Sequence, residues 1–341
     1  MRVLVAMSGG VDSSVAAALL LEQGHEVMGA TMKLWGGASD SGCCSVADVE
    51  DARRVAQQLG VAHHVFNFTD DFDRHVVDPY VAAHAEGRTP NPCVECNRHL
   101  KFDRFLRRAD QLGFDAVATG HHARVDFDDG RWRLRRGADA AKDQSYVLYM
   151  LGQAELSRVR LPVGELTKPE VRAEAARLGL RTADKPESQD VCFITSTGGR
   201  LQFLGERLEL HPARVVDDTG AELGRVDAVE LVTIGQRRGL GVGGGDRRYA
   251  VDVDVPARTV RIGSRDDLLV DGVAITDLCW VDTAPAVGTD LTVQVGAHGR
   301  PRSATYTGPG VTFAVPQTRV APGQSVVLYA GDDVIGGGIA A

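Results

Sequence analysis

The chain has 341 residues, 43% of them hydrophobic, and a formal net charge of −8. That length supports two or three domains with their own cores, and the composition excludes an intrinsically disordered protein. The acidic balance argues mildly against nucleic acid as a partner, because phosphate backbones are held by clustered Lys and Arg; a local basic face can still hide within the sum.

Strands and amphipathic helices alternate in the first half. VLVAM (Val3 to Met7) reads as a buried strand, SSVAAALLLEQG as a helix closed by Gly24, and EVMGATMKL (Glu26 to Leu34) as a second strand. VADVEDARRVAQQLG then sets Val46, Val49, Ala52, Val55, Ala56 and Leu59 at helical spacing and ends at Gly60, ahead of the strand-like VAHHVFNF. DAVATG (Asp115 to Gly120) is a further short apolar strand. This alternation predicts a doubly wound α/β fold, a parallel sheet with helices on both faces and ligands at the carboxyl ends of its strands, near Ser8, Met32 and Gly120.

Beyond about Thr197 short β-like runs take over, as in ARVVDDTGAELG, YAVDVDVPARTVRIG, TDLTVQVG and GQSVVLYAGDDVIGGGIA. A seam near DDLLVDGVAITDLCWVD divides them, so the expected units are residues 1–196, a small β domain over 197–274 and a terminal β-barrel over 275–341. No stretch approaches the ~18 consecutive apolar residues of a membrane span, and no secretory signal is visible. The six cysteines, Cys43, Cys44, Cys93, Cys96, Cys192 and Cys279, are too scattered for a disulfide scaffold. The expectation is a cytoplasmic protein that does not enter a membrane.

Between the first strand and the first helix lies SGGVDSS (Ser8 to Ser14). Its glycines let the backbone turn sharply and approach a ligand, and the helix N-terminus offers N–H groups and partial positive charge to an anion. It lacks the GK[ST] ending of a Walker A loop, so it carries no lysine for the β and γ phosphates. An ordinary strand-to-helix turn capped by Asp12 or Ser13 is the plain alternative.

SGGVDS is similar to the pyrophosphate loop of the PP-loop ATPases. TPNPCVECNRHLKF, ATGHHAR, KDQSYVLY, SQDVCFI, TIGQRRGLGVGG and APGQSVVLY follow in order, and with that loop they resemble the tRNA-specific 2-thiouridylase family over essentially the whole chain. The resemblance implies a PP-loop (adenine nucleotide alpha hydrolase-like) domain, a small central β domain and a C-terminal β-barrel. It implies conversion of the wobble uridine (position 34) of tRNA to 2-thiouridine, with ATP, magnesium, a sulfur-donor protein and a monomeric enzyme.

The same resemblance assigns site residues. Ala6, Met7, Ser8, Gly9, Gly10, Val11, Asp12 and Ser13 cradle ATP, with Met32 and Gly120 near the adenosine. Cys192 receives sulfur as a persulfide, and Cys96 is the second catalytic cysteine, closing a transient disulfide with it. Asn91, Pro92 and Cys93 lie near the target base, and His121, Lys142, Asp143, Gln144 and Gln324 contact tRNA. Cys93 departs from the pattern, which has an aspartate at that position. Proton transfer then falls either to His121 or His122, or to a Cys93 that titrates near neutrality.

Thiolate is the reactive form, and its pKa of about 8.5 falls near helix N-termini and cations. Cys96 has both if Asn97 caps a helix whose first turns carry Arg98 and Lys101. Cys93 and Cys96 alone do not make a zinc site; Cys43 and Cys44 are available to complete one, but adjacent cysteines chelate one tetrahedral ion poorly, so no metal site is expected. Arginines and lysines concentrate at Arg98, Lys101, Arg104, Arg107 and Arg108, at Arg131, Arg133, Arg135 and Arg136, and at Arg237, Arg238, Arg247 and Arg248. These are candidate RNA faces or solvated helix and hairpin faces. Two rival functions stay open: another PP-loop enzyme acting on a small molecule, which needs no cysteine pair, and a silent tRNA-binding or sulfur-carrier protein, which releases no pyrophosphate.

Overall fold

The structure, a computed structural model, describes residues 1–35, 45–186, 191–194, 199–243, 247–297 and 299–341. Strands β1 (Arg2–Ala6), β2 (Glu26–Lys33), β3 (His63–Asn67), β4 (Ala116–Ala118) and, after a hairpin of β5 (Ala123–Asp128) and β6 (Arg131–Arg136), β7 (Val159–Arg160) build the first half. β3-β2-β1-β4-β7 form one sheet, every pair parallel.

Along β1, Val3 and Val5 join one apolar cluster and Leu4 and Ala6 another, so each face of the sheet needs a helical cover. Helices α1 (Val11–Glu22), α2 (Val46–Gln58) and Lys168–Arg177 supply the first, bringing Val15, Leu20, Val55 and Val171. Ser45 starts α2 by accepting from Asp48 N at 3.1 Å.

Two bent helices cover the other face. One is α-helical over Thr69–Phe72, π-helical over Asp73–Val77 and α-helical again over Asp78–Ala85. The second runs as α over Pro92–Glu95, π over Cys96–Arg104 and α over Phe105–Gln111. Phe72, Tyr80, Leu100 and Phe105 pack there against Leu4 and Val117. A fully buried leucine such as Leu100 contributes about 2–5 kcal/mol relative to alanine.

In the second half β8 (Ala213–Val216), β9 (Glu222–Val226), β10 (Tyr249–Asp254) and β11 (Thr259–Gly263) form a sheet ordered β10-β11-β8-β9 around Val215, Val229, Val260 and Ile262. β12 (Leu269–Trp280), β13 (Asp290–Val295), β14 (Arg302–Tyr306), β15 (Gly310–Thr318), β16 (Ser325–Ala330) and β17 (Asp333–Ala340) complete the chain. Their order β12-β15-β14-β13-β16-β17, with β12 also paired to β17, closes an antiparallel barrel and removes its edges. β12 runs unbroken across residue 274, where the sequence suggests a cut. The hairpin β5–β6 joins the barrel through Arg135 opposite Asp333 on β17.

Candidate nucleotide and thiol site

The SGGVDS loop leaves β1 at the point where strand order reverses, with β2 on one side of β1 and β4 on the other. This is the crevice where doubly wound sheets bind ligands. Gly9 has φ +75°, and a Cβ there would stand 2.2 Å from the Asp48 carbonyl oxygen, so only glycine lets the loop touch the first turn of α2. Gly10 is the N-cap of α1 and has no side chain to close that cap, so first-turn N–H groups are of the kind that suits an anion. Ser13 and Ser14 donate to Gly10 O at 3.2 and 2.8 Å, and Ser13 Oγ accepts from Ser8 N at 3.2 Å. Met32 lies at the end of β2 and Gly120 just beyond β4; a Cβ on Gly120 would come within 2.6 Å of Ser13 N.

The motif contains no lysine, but the fold brings two to it. Lys168 Nζ donates to both oxygens of Asp12, at 2.7 and 2.8 Å, and His122 Nε2 lies 3.1 Å from Asp12 Oδ1. Burial works against the Asp12 charge, yet the hydrogen bonds to His122 and Lys168 prevail and hold its carboxyl below the usual carboxylate range. Gln144 Oε1 accepts from His122 N at 2.9 Å and Gln144 N donates back to His122 O at 2.8 Å, which fixes the histidine backbone.

Lys185 Nζ donates to Gly9 O at 3.0 Å and to Asp48 and Asp51 at 2.7 Å each. Burial opposes its charge, but the two carboxylates outweigh it and raise its pKa. Arg172 donates to the carbonyls of Ala183 and Lys185, which fixes the backbone that carries this lysine. Neither lysine stands out in the sequence, where nothing local to TKPEVR or ADKPE reports a partner more than a hundred positions away.

Asn91, not Asn97, caps the cysteine helix: its side-chain oxygen accepts from Cys93 N at 3.0 Å, and Pro92 occupies the first helical turn. The correction has a simple cause. A residue before proline is driven toward extended backbone, and proline favours the helix start, so the helix begins at Pro92. Asn97 lies inside it, buried, donating to Val147 O at 2.9 Å. Cys93 is half-buried in the first turn, and Cys96 is buried where α geometry gives way to π, a distortion that recurs at functional sites.

Cys192 is half-buried and packs on the apolar cluster that includes Cys96. Its neighbour Phe193 anchors the segment among Phe203, Tyr80, Phe72 and Trp35, at centroid distances of 4.9, 5.5, 5.6 and 6.1 Å. His121 is also buried, and burial followed by the charge of Lys101 holds its imidazole well below its ordinary pKa. It is therefore a neutral ring near pH 7, sharing a 2.6 Å hydrogen bond with Thr119. Cys43 and Cys44 lie outside the described residues, and among those described no group of three His, Cys, Asp or Glu is placed to hold a metal.

Comparison with known proteins fits this geometry. The family model described as "tRNA methyl transferase HUP domain" matches residues 1–196, and "Aminomethyltransferase beta-barrel domain" matches residues 270–340. The tRNA-specific 2-thiouridylase MnmA of Chloroflexus aurantiacus is 49% identical over 349 residues, covering 99% of this chain and 97% of that one. Namesakes from Carboxydothermus hydrogenoformans and Geobacter metallireducens are 46% and 43% identical, each covering 99% of this chain and 96% of their own. The chain belongs to the tRNA-specific 2-thiouridylase family.

The positions that family likeness assigns to RNA fall into different settings. Lys142 lies in the turn after Asp139, partly exposed. Asp143 points inward, accepting from Arg136 at 2.9 Å, Gly137 N at 3.0 Å and Ser145 Oγ at 2.9 Å. Gln324 donates to the Thr89 carbonyl just ahead of Asn91. The hairpin arginines are committed to the barrel seam: Arg133 and Arg135 both bond Asp333, at 2.9 and 2.8 Å, and Arg136 stacks 3.7 Å above the Tyr329 ring. Their spacing suggests an RNA face; Arg133 and Arg135 are paired by Asp333 of β17, which local reading does not see, and by Asp128 and Asp126 across the hairpin at 3.0 and 3.5 Å. On the cysteine helix Arg104 pairs with Asp71 at 2.9 Å and Arg107 with Asp103 at 2.6 Å. No helix among the described residues is long and apolar enough to cross a membrane.

Proposed function

We propose that this 2-thiouridylase family member activates the C2 oxygen of a tRNA wobble uridine with ATP and replaces it with sulfur through Cys192 and Cys96. The observation that carries the reading is identity of 43–49% along the whole chain with proteins named for that activity. The chemistry explains the parts. A uracil C2 oxygen is a poor leaving group, so it first attacks the α-phosphorus of ATP, and pyrophosphate departs from the SGGVDS loop. A sulfur nucleophile then adds at C2, and AMP leaves with the oxygen. Donors fixed beforehand where charge develops are worth most in such steps.

Cys192 carries the incoming sulfur as a persulfide. The Cys96 thiolate attacks the Cys192 sulfur, the S–S bond to the outer sulfur breaks, and hydrosulfide is released toward C2. Two cysteine thiols thereby become a disulfide while the carried sulfur is reduced, and a dithiol reductant resets the pair. Asp12 is the acid the loop offers a magnesium ion, with Lys168 and His122 its partners otherwise. Asn91, Pro92 and Cys93 form the helix start beside the base, and neutral His121 is suited to accept a proton rather than to donate one. A sulfur-donor protein loading Cys192 and a monomeric cytoplasmic enzyme complete the proposal.

The test is mass spectrometry of tRNA nucleosides after incubation with protein, ATP, magnesium and a persulfide donor. 2-Thiouridine should form, accompanied by pyrophosphate, and should vanish in Cys96→Ala and Cys192→Ala. Pyrophosphate release that ignores tRNA, or thiolation undiminished in both variants, would refute it.

A further inference from the structure

The strap that leads into the cysteine helix is gripped by both downstream β units at a single residue, Thr89. Its N–H donates to Pro322 O at 2.8 Å, its carbonyl accepts from the Gln324 side chain, and its hydroxyl lies 3.4 Å from Thr233 Oγ1. Pro322 and Gln324 belong to the barrel turn that enters β16, while Thr233 lies between β9 and β10 of the central sheet. The turn is rigid in its own right: Gly323 N donates to Ala340 O at 3.0 Å and Ala340 N to Gln324 O at 2.8 Å. Gly323 has φ +89°, and a Cβ there would stand 3.1 Å from Thr89 N and 3.2 Å from Arg88 Cβ. Turn and strap are therefore in contact backbone to backbone.

The residues between Thr89 and the helix transmit displacement rather than absorb it. Asn91 precedes a proline, so it is confined to extended backbone, and its side chain is spent on capping Cys93 N. Pro92 has a fixed φ. A shift at Thr89 is thus passed to the first turn of the helix that carries Cys93 and Cys96.

We propose that Gly323 and Gln324 are positioning residues: acting through Thr89, they set the start of the cysteine helix, so that the barrel aligns the reacting thiol without touching it. The proposal rests on the reading of Cys96 as that thiol. It gives Gln324 a task distinct from contacting RNA, and it explains why a glycine with left-handed φ precedes it.

The experiment uses the full chain without tRNA. The rate at which iodoacetamide alkylates Cys96 and Cys93 is followed by peptide mass spectrometry in the parent, Gln324→Ala and Gly323→Ala. A change of about fivefold in Cys96 alkylation is expected in each variant, the factor that one neutral hydrogen bond of ordinary strength represents. In thiolation assays kcat should fall by a similar factor with KM for tRNA unchanged. Unaltered alkylation in Gln324→Ala, or a raised KM for tRNA at constant kcat, overturns the proposal and makes Gln324 an RNA contact. If Gly323→Ala does not fold, Gln324→Ala decides. Absence of any thiolation activity in the parent would sink the proposed function, while the alkylation result still judges the strap.

Discussion

Asp12 and Glu230 are both carboxylates bonded to nitrogen bases in largely closed settings, and they differ in what lies on the remaining side. Asp12 is held by Lys168 and His122, but 29% of its side chain stays exposed. Glu230 is only 2% exposed; it accepts from His211 N at 3.1 Å, bonds His211 Nδ1 at 2.8 Å, and its carbonyl meets His84 Nδ1 at 3.3 Å. His84 comes from the helix Asp78–Ala85 of the first unit, so this second cluster seals that unit against the central sheet. Of two similar groups, the one with an open face can exchange partners and the one without is left to cohesion, because exchange needs access to solvent.

The largest effect expected from this contrast is at Asp12. Asp12→Asn keeps the shape but removes the charge, and pyrophosphate release should fall by ~10²–10³-fold, the scale of losing one preorganised electrostatic group. Its thermal midpoint should change little compared with that of Glu230→Gln. Equal rates in Asp12→Asn and the parent would erase the distinction between the two clusters.

A pH titration of stability sharpens it next. Burial first, then the charge of Arg200, pushes the His84 pKa down to about 4. In the unfolded chain this histidine protonates at about 6.5, so its contribution is present above that pH and is lost as pH falls from about 6.5 to about 4, a total of about 3 kcal/mol at 1.36 kcal/mol per pKa unit. His121 is depressed as well and adds to the same acid limb, whereas Asp12, with its pKa lowered, loses its contribution only below the usual carboxylate range. Urea unfolding of the parent and His84→Gln between pH 7 and 4 should show a shallower slope in the variant. Parallel slopes would mean that His84 is not kept neutral by the seal.

The smallest effect belongs to the hairpin seam. Asp333→Asn removes the shared partner of Arg133 and Arg135, both partly exposed, and should cost less than about 1 kcal/mol. The salt dependence of tRNA binding should not change. A steeper salt slope in Asp333→Asn would show that these arginines can reach phosphates after all.

Local patterns are legible wherever cause and consequence lie within a few residues. Gly9 and the alternation along β1 can be read directly, as can the closures of helices at Gly24 and Gly60, each with positive φ; the start of α1 is missed, since the sequence suggests Asp12 or Ser13 as its cap and the structure begins the helix at Val11 after Gly10. Asn97 passes for a cap because Asn is a good cap anywhere, and the stronger signal, a proline preceded by Asn91, lies nearly two turns earlier. For Arg133 and Arg135 of β6, Asp128 and Asp126 are partners close in sequence, but Asp333, which ties both to the barrel, comes some two hundred positions later. Lys168 and Lys185 escape notice for the same reason.

Hydrophobic period is enough to predict the parallel sheet, and the glycines of SGGVDS a sharp turn after β1, since each depends on backbone geometry that neighbouring residues dictate; Cys96 and Cys192 are singled out by family resemblance instead. Tertiary structure alone chose the partners: which lysine meets Asp12, which barrel acid ties Arg133 and Arg135, and which turn of the barrel grips Thr89. Those choices depend on chain segments brought together by burial of apolar surface, a force that is strong but not directional, so no local pattern specifies them.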